Sequence, residues 1–412
     1  MKYNDIATEF HASSTTQQPV EFAEQEYQRR LRLPSAFSTD IVLDGRHKVF
    51  AVLSQESIML IDDILRRETH VEQTWNELPG VAKDAYMKGL LTEELLSTNQ
   101  MEGIRSTRQE VATALQSVKN PASHTRFSEF AKLYTAIYTD ESLQLPKTLS
   151  AIRSIYDKVV DGELADEDEP DGKLFRKGYV GVHDTATGRE IHRGISGEEN
   201  IQSALTQMLA FVRQDDVPSL LKAIICHDVF EYIHPFYDGN GRTGRFLLAL
   251  QLREYLSAPT ALSLSPVIAE NKLEYYKSLE GAQKKINCSE TSFFVCQMLR
   301  FIQTAQHQLD ENLSEKNSAL QIAGDKEDQY IQTENLDITS DRILYILIQQ
   351  HLFQSGKPTL TKAEIAQTLG IGMSKTDNRL KNLEKRELIS TVGKRPIYYE
   401  LSGKACELFG IN

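Results

Sequence analysis

Absences narrow this 412-residue chain before any motif is read. Four cysteines (Cys226, Cys288, Cys296 and Cys406) show no C-x-x-C spacing and no second ligand set beside them. They indicate neither a metal centre nor a disulfide scaffold, and fit buried thiols in a reducing compartment. No apolar run approaches the ~20 residues of a membrane-spanning helix, and the opening MKYNDIATEFHASSTTQQ has no apolar signal region. The expected location is the cytoplasm, with no membrane partner. Basic residues are outnumbered, 46 Lys and Arg against 58 Asp and Glu, for a net charge of −12. That balance argues against wholesale nucleic-acid binding but leaves room for a local basic module. No G-x-x-x-x-G-K-[ST] occurs, which excludes a P-loop. What remains, 40% hydrophobic and 25% charged residues, is ordinary for a globular protein of two or three domains.

Along the chain, residues 1 to about 50 are polar, and HASSTTQQP there suggests a loosely packed lead-in. From about 50 to 160 the apolar spacing is helical. DGELADEDEPDGK is an acidic loop, and YVGVHDTATGREIHRG places turn residues between two short β-prone pieces, which predicts a hairpin. Helical patterning resumes from about 198 to 310. Residues 310 to 337 carry eight acids and two lysines, as expected of an exposed linker. Beyond it, DRILYILIQQH predicts a helix, TKAEIAQTLGI and MSKTDNRLKNLEKREL a helix-turn-helix, and ISTVGKRPIYYEL a two-stranded wing. On the second helix Leu380 and Leu383 share one side, and Lys375, Arg379, Lys385 and Arg386 lie broadly opposite. This is the layout of a DNA-recognition helix, although exposed helix faces are commonly charged for no such reason.

The densest chemistry lies in HPFYDGNGRTGR, residues 234–245. Gly239, Gly241 and Gly244 spell G-x-G-x-x-G, but a dinucleotide fingerprint must follow a strand. Here Leu220, Leu221, Ile224, Ile225 and Val229 precede it at helical spacing. Glycines at a helix start let successive N–H groups converge on an anion, and the helix dipole favours phosphate there. Arg242 and Arg245, three apart, share a face and can clamp phosphate oxygens. Asp238 beside such a nest would be repelled by phosphate unless a cation lay between them, which points to Mg²⁺. His234 is within loop reach, and an imidazole suits proton abstraction near neutrality. Together these residues describe metal-assisted transfer of a phosphorus-centred group to a hydroxyl. A tight helix–helix turn with surface arginines would account for any one of them, but not for all within twelve positions.

The stretch also resembles, without a gap, the Fic signature H-x-F-x-[DE]-G-N-G-R-x-x-R. The resemblance covers roughly residues 95 to 300, with HDVFEYI before the motif and NKLEYYKSL after it. It implies a mainly α fold: a Fic helical core with a small β-hairpin flap at about 179 to 193, and beyond it the C-terminal winged helix. It further implies a protein adenylyltransferase that moves AMP from ATP to a Ser, Thr or Tyr hydroxyl of a protein target, itself included, with release of pyrophosphate. On that resemblance His234 deprotonates the hydroxyl and Asp238 holds Mg²⁺. Gly239, Asn240 and Gly241 form the phosphate loop, Arg242 and Arg245 neutralise the triphosphate, and Phe236 anchors the loop. Kinase-type relatives typically have lysine in place of Gly241 and phosphocholine-transferring ones replace Gly239, so AMP transfer fits best. The flap ends in EIHRG where family flaps often carry a hydrophobic-proline run. His192 and Arg193 are expected either to meet ligand or to be ordinary exposed polar residues, and Tyr275 and Tyr276 either to lie near adenine or to be core. Cys226 and His227 lack the ligands of a metal site, and His227 fits a hydrogen-bonded support for the loop.

STNQMEGIR, residues 97–105, resembles the family's inhibitory helix through Thr98, Glu102 and Gly103. In this reading Glu102 takes Arg245 as a bidentate pair and denies it to ATP. Some relatives use the same glutamate to orient a water that removes AMP, so Glu102 is a brake, a hydrolytic base, or both. The expected organisation is an N-terminal helical region (1–94), a Fic core with its inhibitory helix (95–309), a linker (310–336) and a winged-helix domain (337–412). The alternatives are a de-AMPylase using Glu102 and a DNA-binding regulator whose core senses nucleotide. DNA and a second copy of the chain are therefore candidate partners beside the protein target.

Overall fold

A computed structural model describes residues 3–118, 125–183, 190–356 and 360–411. The fold is mainly helical, with three two-stranded antiparallel sheets among the described residues. Helices α1 (Ile6–Ala12) and α2 (Pro19–Leu31) precede the hairpin β1 (Ala36–Val42) and β2 (Lys48–Val52). Then come α3 (Gln55–Glu77), α4 (Gly80–Met101), α5 (Arg108–Ser117), α6 (Ser128–Thr139) and α7 (Leu149–Val159). A second hairpin, β3 (Gly181–His183) and β4 (Glu190–Arg193), leads to α8 (Glu198–Val212), α9 (Ser219–Ile233) and α10 (Asn240–Leu252). After α11 (Ala258–Ala261), α12 (Leu264–Glu270) and α13 (Lys272–Gln283) comes the 43-residue α14 (Ser292–Glu334). The chain closes with α15 (Ile338–Phe353), α16 (Lys362–Leu369), α17 (Met373–Lys385), β5 (Ile389–Val392), β6 (Tyr398–Leu401) and α18 (Gly403–Phe409).

The chain divides into two compact units, residues 1–68 with 91–306, and residues 69–90 with 307–412. In the first, α9 is the centre. It is apolar on nearly every side and buried along its length, as a helix surrounded by others must be. Helices α8, α10 and α13 pack on it, and α6 and α7 pack on α10. The β3–β4 hairpin forms where the turn residues predict one, with Gly181 opposite Arg193 and Val182 opposite His192.

The N-terminal residues are not a loose lead-in. Ile6, Ala23, Tyr27, Phe50 and Val52 form a small apolar cluster with Cys288. The polar anchor of this cluster is Arg30, fully buried, whose Nη1 lies 2.6 Å from Glu290 Oε2. Phe50 N–H donates to Ser289 O, and Thr291 N–H to Phe50 O, so β2 is stitched to the segment before α14. A polar composition concealed these contacts because their partners are more than 200 residues away in sequence.

In the second unit the stretch expected as a linker is helical instead: α14 runs unbroken to Glu334. Its residues Leu309, Leu313, Leu320 and Ala323 are buried at intervals of four, seven and three, so one face of the helix is packed, and Glu327 is buried on it as well. Trp75 and Tyr86 meet at 6.1 Å between ring centroids, and Tyr86 and Phe353 at 6.3 Å. Helices α16 and α17 pack on each other and on α15, and β5 pairs with β6 directly after them.

Removing Arg30 leaves Glu290 buried without its cation, which costs about 3 kcal/mol. Arg30→Leu should therefore unfold at a clearly lower urea concentration than wild type. An unchanged midpoint would show that the N-terminal elements are not held by this pair.

Candidate active site

The loop between α9 and α10 is built from both ends. His234 caps α9 in the left-handed conformation, φ 51°, and its N–H still donates to Phe230 O. Gly239 opens α10 with φ +76°, and a Cβ on it would stand 2.5 Å from Val160 Cγ1, so only glycine fits. Between them the buried Asn240 amide clamps the loop across Phe236, accepting from its N–H at 2.9 Å and donating to its carbonyl at 2.8 Å. The Phe236 ring, wholly buried, stacks on Tyr156 with centroids 3.5 Å apart. Phe236 is thus the anchor the motif suggests, and Asn240 is a structural clamp whose role residue type alone did not reveal.

His234 stands at the α9 end of the loop. Its Nδ1 lies 3.3 Å from the Glu231 carbonyl, which can only accept, so Nδ1 carries a proton in that contact. Arg176, fully buried, holds this end of the loop. It donates to His234 O at 2.8 Å, Ile233 O at 3.3 Å and Gly178 O at 2.6 Å, tying the catalytic histidine candidate to the base of the β3–β4 hairpin. Burial lowers the Arg176 guanidinium to about 10. Nothing in the local sequence around Arg176 announces this contact, which spans 58 positions.

The two motif arginines point to different partners. Arg242, 1% exposed, donates to the Glu163 carboxylate and lies 4.0 Å from Asp238 Oδ2. Arg245, 2% exposed, donates from Nε to Thr98 Oγ1 at 2.7 Å and from Nη2 to Thr98 O at 3.1 Å and Glu102 Oε1 at 2.6 Å. The expected two-pronged fork onto Glu102 is therefore divided: Thr98 takes part of it, because the end of α4 offers a hydroxyl and a carbonyl beside the carboxylate. Glu102 follows Met101, the last residue of α4, and Gly103 turns the chain away with φ +73°. Burial alone would push the Glu102 carboxyl up, but Arg245 outweighs it and the net displacement is downward.

Gly241 shows where the Glu102 carboxylate sits. A Cβ on Gly241 would be 2.2 Å from Glu102 Oε1 and 3.0 Å from Arg245 Nη1. The carboxylate thus lies on the first turn of α10, where helix N–H groups and dipole favour an anion. Behind it α9 supplies His227, Asp228 and Glu231, all buried. Burial drives His227 down to about 3, Asp228 up to about 7 and Glu231 up to about 8. His227 Nε2 lies 2.9 Å from the hydroxyl of the buried Tyr275, so both belong to the core. Tyr276 is half-buried, with Lys272 Nζ 5.5 Å from its ring.

Asp238 is the loop carboxylate open to solvent, its side chain 48% exposed. One carboxylate with substrate phosphates is the usual way of holding Mg²⁺, so the site fits the ion without a full protein cage. Arg193 is exposed, its guanidinium 5.5 Å from the Tyr179 ring, and the side chain of His192 lies outside the described residues.

In the second unit, Lys375 and Lys385 on α17 are exposed, and Leu380 and Leu383 are buried as their spacing predicts. The other two basic residues are engaged. Arg379 Nε lies 2.9 Å from Asp337 Oδ2, and Arg386 Nη1 3.0 Å from Glu334 Oε2. Glu334 at the end of α14 and Asp337 at the cap of α15 thus answer part of the basic face, which weakens its field toward a polyanion.

A carboxyl that ionises more readily folded than unfolded stabilises above its unfolded pKa of about 4.3, and the contribution disappears as pH falls through the lower folded value. Glu102→Ala should cost about 3 kcal/mol at neutral pH, because it leaves Arg245 buried without its anion. The gap to wild type should close as unfolding is followed into the acid range. A gap that persisted there would mean that packing, not the ion pair, carries the effect.

Comparison with known proteins places this geometry. Residues 146–252 match the Fic/DOC family. The Aquifex aeolicus (strain VF5) protein named "Probable protein adenylyltransferase" is 43% identical over 63 residues, a stretch covering 15% of this chain and only 18% of that protein. A Fic family protein from Desulfovibrio desulfuricans G20 shares the fold, with a TM-score of 0.51 at 18% identity over 85% of this chain and 97% of that one. The helical unit that presents the 234–245 loop therefore contains a Fic/DOC family domain.

Proposed function

We propose that this chain is an autoinhibited protein adenylyltransferase that moves AMP from ATP to a Ser, Thr or Tyr hydroxyl of a protein target, and to itself. The observation that carries the proposal is the position of Glu102, which answers the buried charge of Arg245 on the first turn of α10, the helix that follows the loop of His234 and Asp238. Every group the reaction needs is present there, together with a carboxylate that competes for its anion site. The name of the Aquifex relative supports the transferred group, and the glycines at 239 and 241 support AMP over other groups.

In the reaction the target hydroxyl loses its proton to His234 Nε2 and its oxygen bonds to the α-phosphorus of ATP. The bond from that phosphorus to the bridging oxygen breaks, and pyrophosphate leaves. The N–H groups at the start of α10 receive the phosphates, and Arg245 neutralises the far end of the triphosphate once Glu102 withdraws. Arg242, held by Glu163, serves from behind the loop, keeping Asp238 in place. Magnesium held by Asp238 would supply charge neutralisation of the α- and β-phosphates. The β3–β4 hairpin, tied to His234 through Arg176, sets the target's backbone relative to that histidine.

While Glu102 holds Arg245 the productive ATP pose is closed, and each ~1.4 kcal/mol of that bias slows transfer about tenfold. Incubation with Mg²⁺ and ATP labelled at the α- or γ-phosphate should leave label on protein from α-labelled ATP alone. Labelling should be at least about tenfold stronger in Glu102→Gly and absent in His234→Ala. Retention of γ-label would make the enzyme a kinase. Release of AMP from a modified protein, lost in Glu102→Gly, would make Glu102 a hydrolytic base.

A further inference from the structure

The second unit contains a cluster of charge that the transfer reaction does not use. Glu327 and Asp328 on α14 and Asp341 in the first turn of α15 bring one carboxylate oxygen each to within 4.8 Å of one another. Glu327 is only 2% exposed, and its Oε1 has no hydrogen-bond partner. All three line one open groove whose apolar part is Leu320, Ile346 and Leu369. Of the groove's charged residues, Asp325 adds a further acid and Arg342 is the one cation, and Tyr345 is the remaining titratable group. Burying a carboxylate oxygen without a donor is costly, and three acids in contact cannot all stay ionised unless something positive lies among them.

Two occupants meet that requirement, a proton or a metal cation. Burial, reinforced by Asp341 and Asp328, pushes the Glu327 carboxyl up. Geometry favours the cation. Oxygens on one Ca²⁺ or Mg²⁺ sit about 2.1–2.5 Å from it and so within about 5 Å of each other. A proton shared between Glu327 and Asp341, which are close enough to hold one, would leave Asp328 unaccounted for. The donor set is oxygen alone, which selects a hard ion over zinc or copper.

We propose that Glu327, Asp328 and Asp341 form a site for a hard divalent cation, Ca²⁺ or Mg²⁺, that fastens α14 to α15. Water and the second carboxylate oxygens complete the coordination.

Thermal unfolding of the full chain, stripped with chelator and free of nucleotide, tests this with CaCl₂ and MgCl₂ as the probes. Wild type should gain about 4 °C at saturating concentration of the preferred ion. Glu327→Gln and Asp341→Asn, both near-isosteric, should lose that gain. Asp325→Asn, which changes the same groove outside the ligand set, should keep it. Titration calorimetry on wild type should register the same ion directly. No shift in wild type with either salt, or an equal shift in Glu327→Gln, overturns the site. The first of these together with a Glu327→Gln variant more stable than wild type would assign the cluster to protons alone.

Discussion

Arg245 carries a full charge into the interior of the helical core, and much of the site follows from how that charge is met. A guanidinium so deeply buried must be matched by acceptors close to it, and in this chain they come from Thr98 and Glu102 at the end of α4. Answering the charge brings an anion onto the N-terminal turn of α10. The same arginine therefore links the stability of the core to the anion held on that turn.

Other buried arginines do comparable work. Arg176 spends its donors on backbone carbonyls of the His234 loop and the hairpin base. Arg242 goes to Glu163 behind the loop, and Arg30 goes to Glu290 at the N-terminal elements. Geometry at the candidate site is thus set by a few charge-assisted hydrogen bonds laid over an apolar scaffold, of which α9 is the centre.

Legibility in the sequence followed the range of the interaction. The 234–245 loop could be read because its chemistry is local: a left-handed glycine, a helix start, a histidine and a carboxylate within a few residues. The hairpin at 179–193 was legible for the same reason, and so were the helix, turn and ribbon at the C-terminus. The linker expectation at 310–336 failed because charge was weighed above periodicity. Leu309, Leu313, Leu320, Ala323 and Glu327 recur at helical spacing, and that stripe was visible. The first 50 residues misled differently, since a short stretch with few apolar residues reads as loose unless its distant partners are known.

By itself the sequence determined the contiguous parts: the 234–245 loop with its histidine, glycines and acid, the turn that ends α4 at Gly103, and the amphipathic faces of α17. Those depend on φ values, helix termini and 3.6-residue spacing, all fixed within a few positions of chain. Tertiary structure alone decided which partner each charge would find. It divided Arg245 between Thr98 and Glu102, gave Arg242 to Glu163, placed Arg176 under His234, and turned Arg379 and Arg386 toward Asp337 and Glu334. A charged side chain records in the sequence that it needs a partner, but the partner is chosen only when packing removes the water that would otherwise serve.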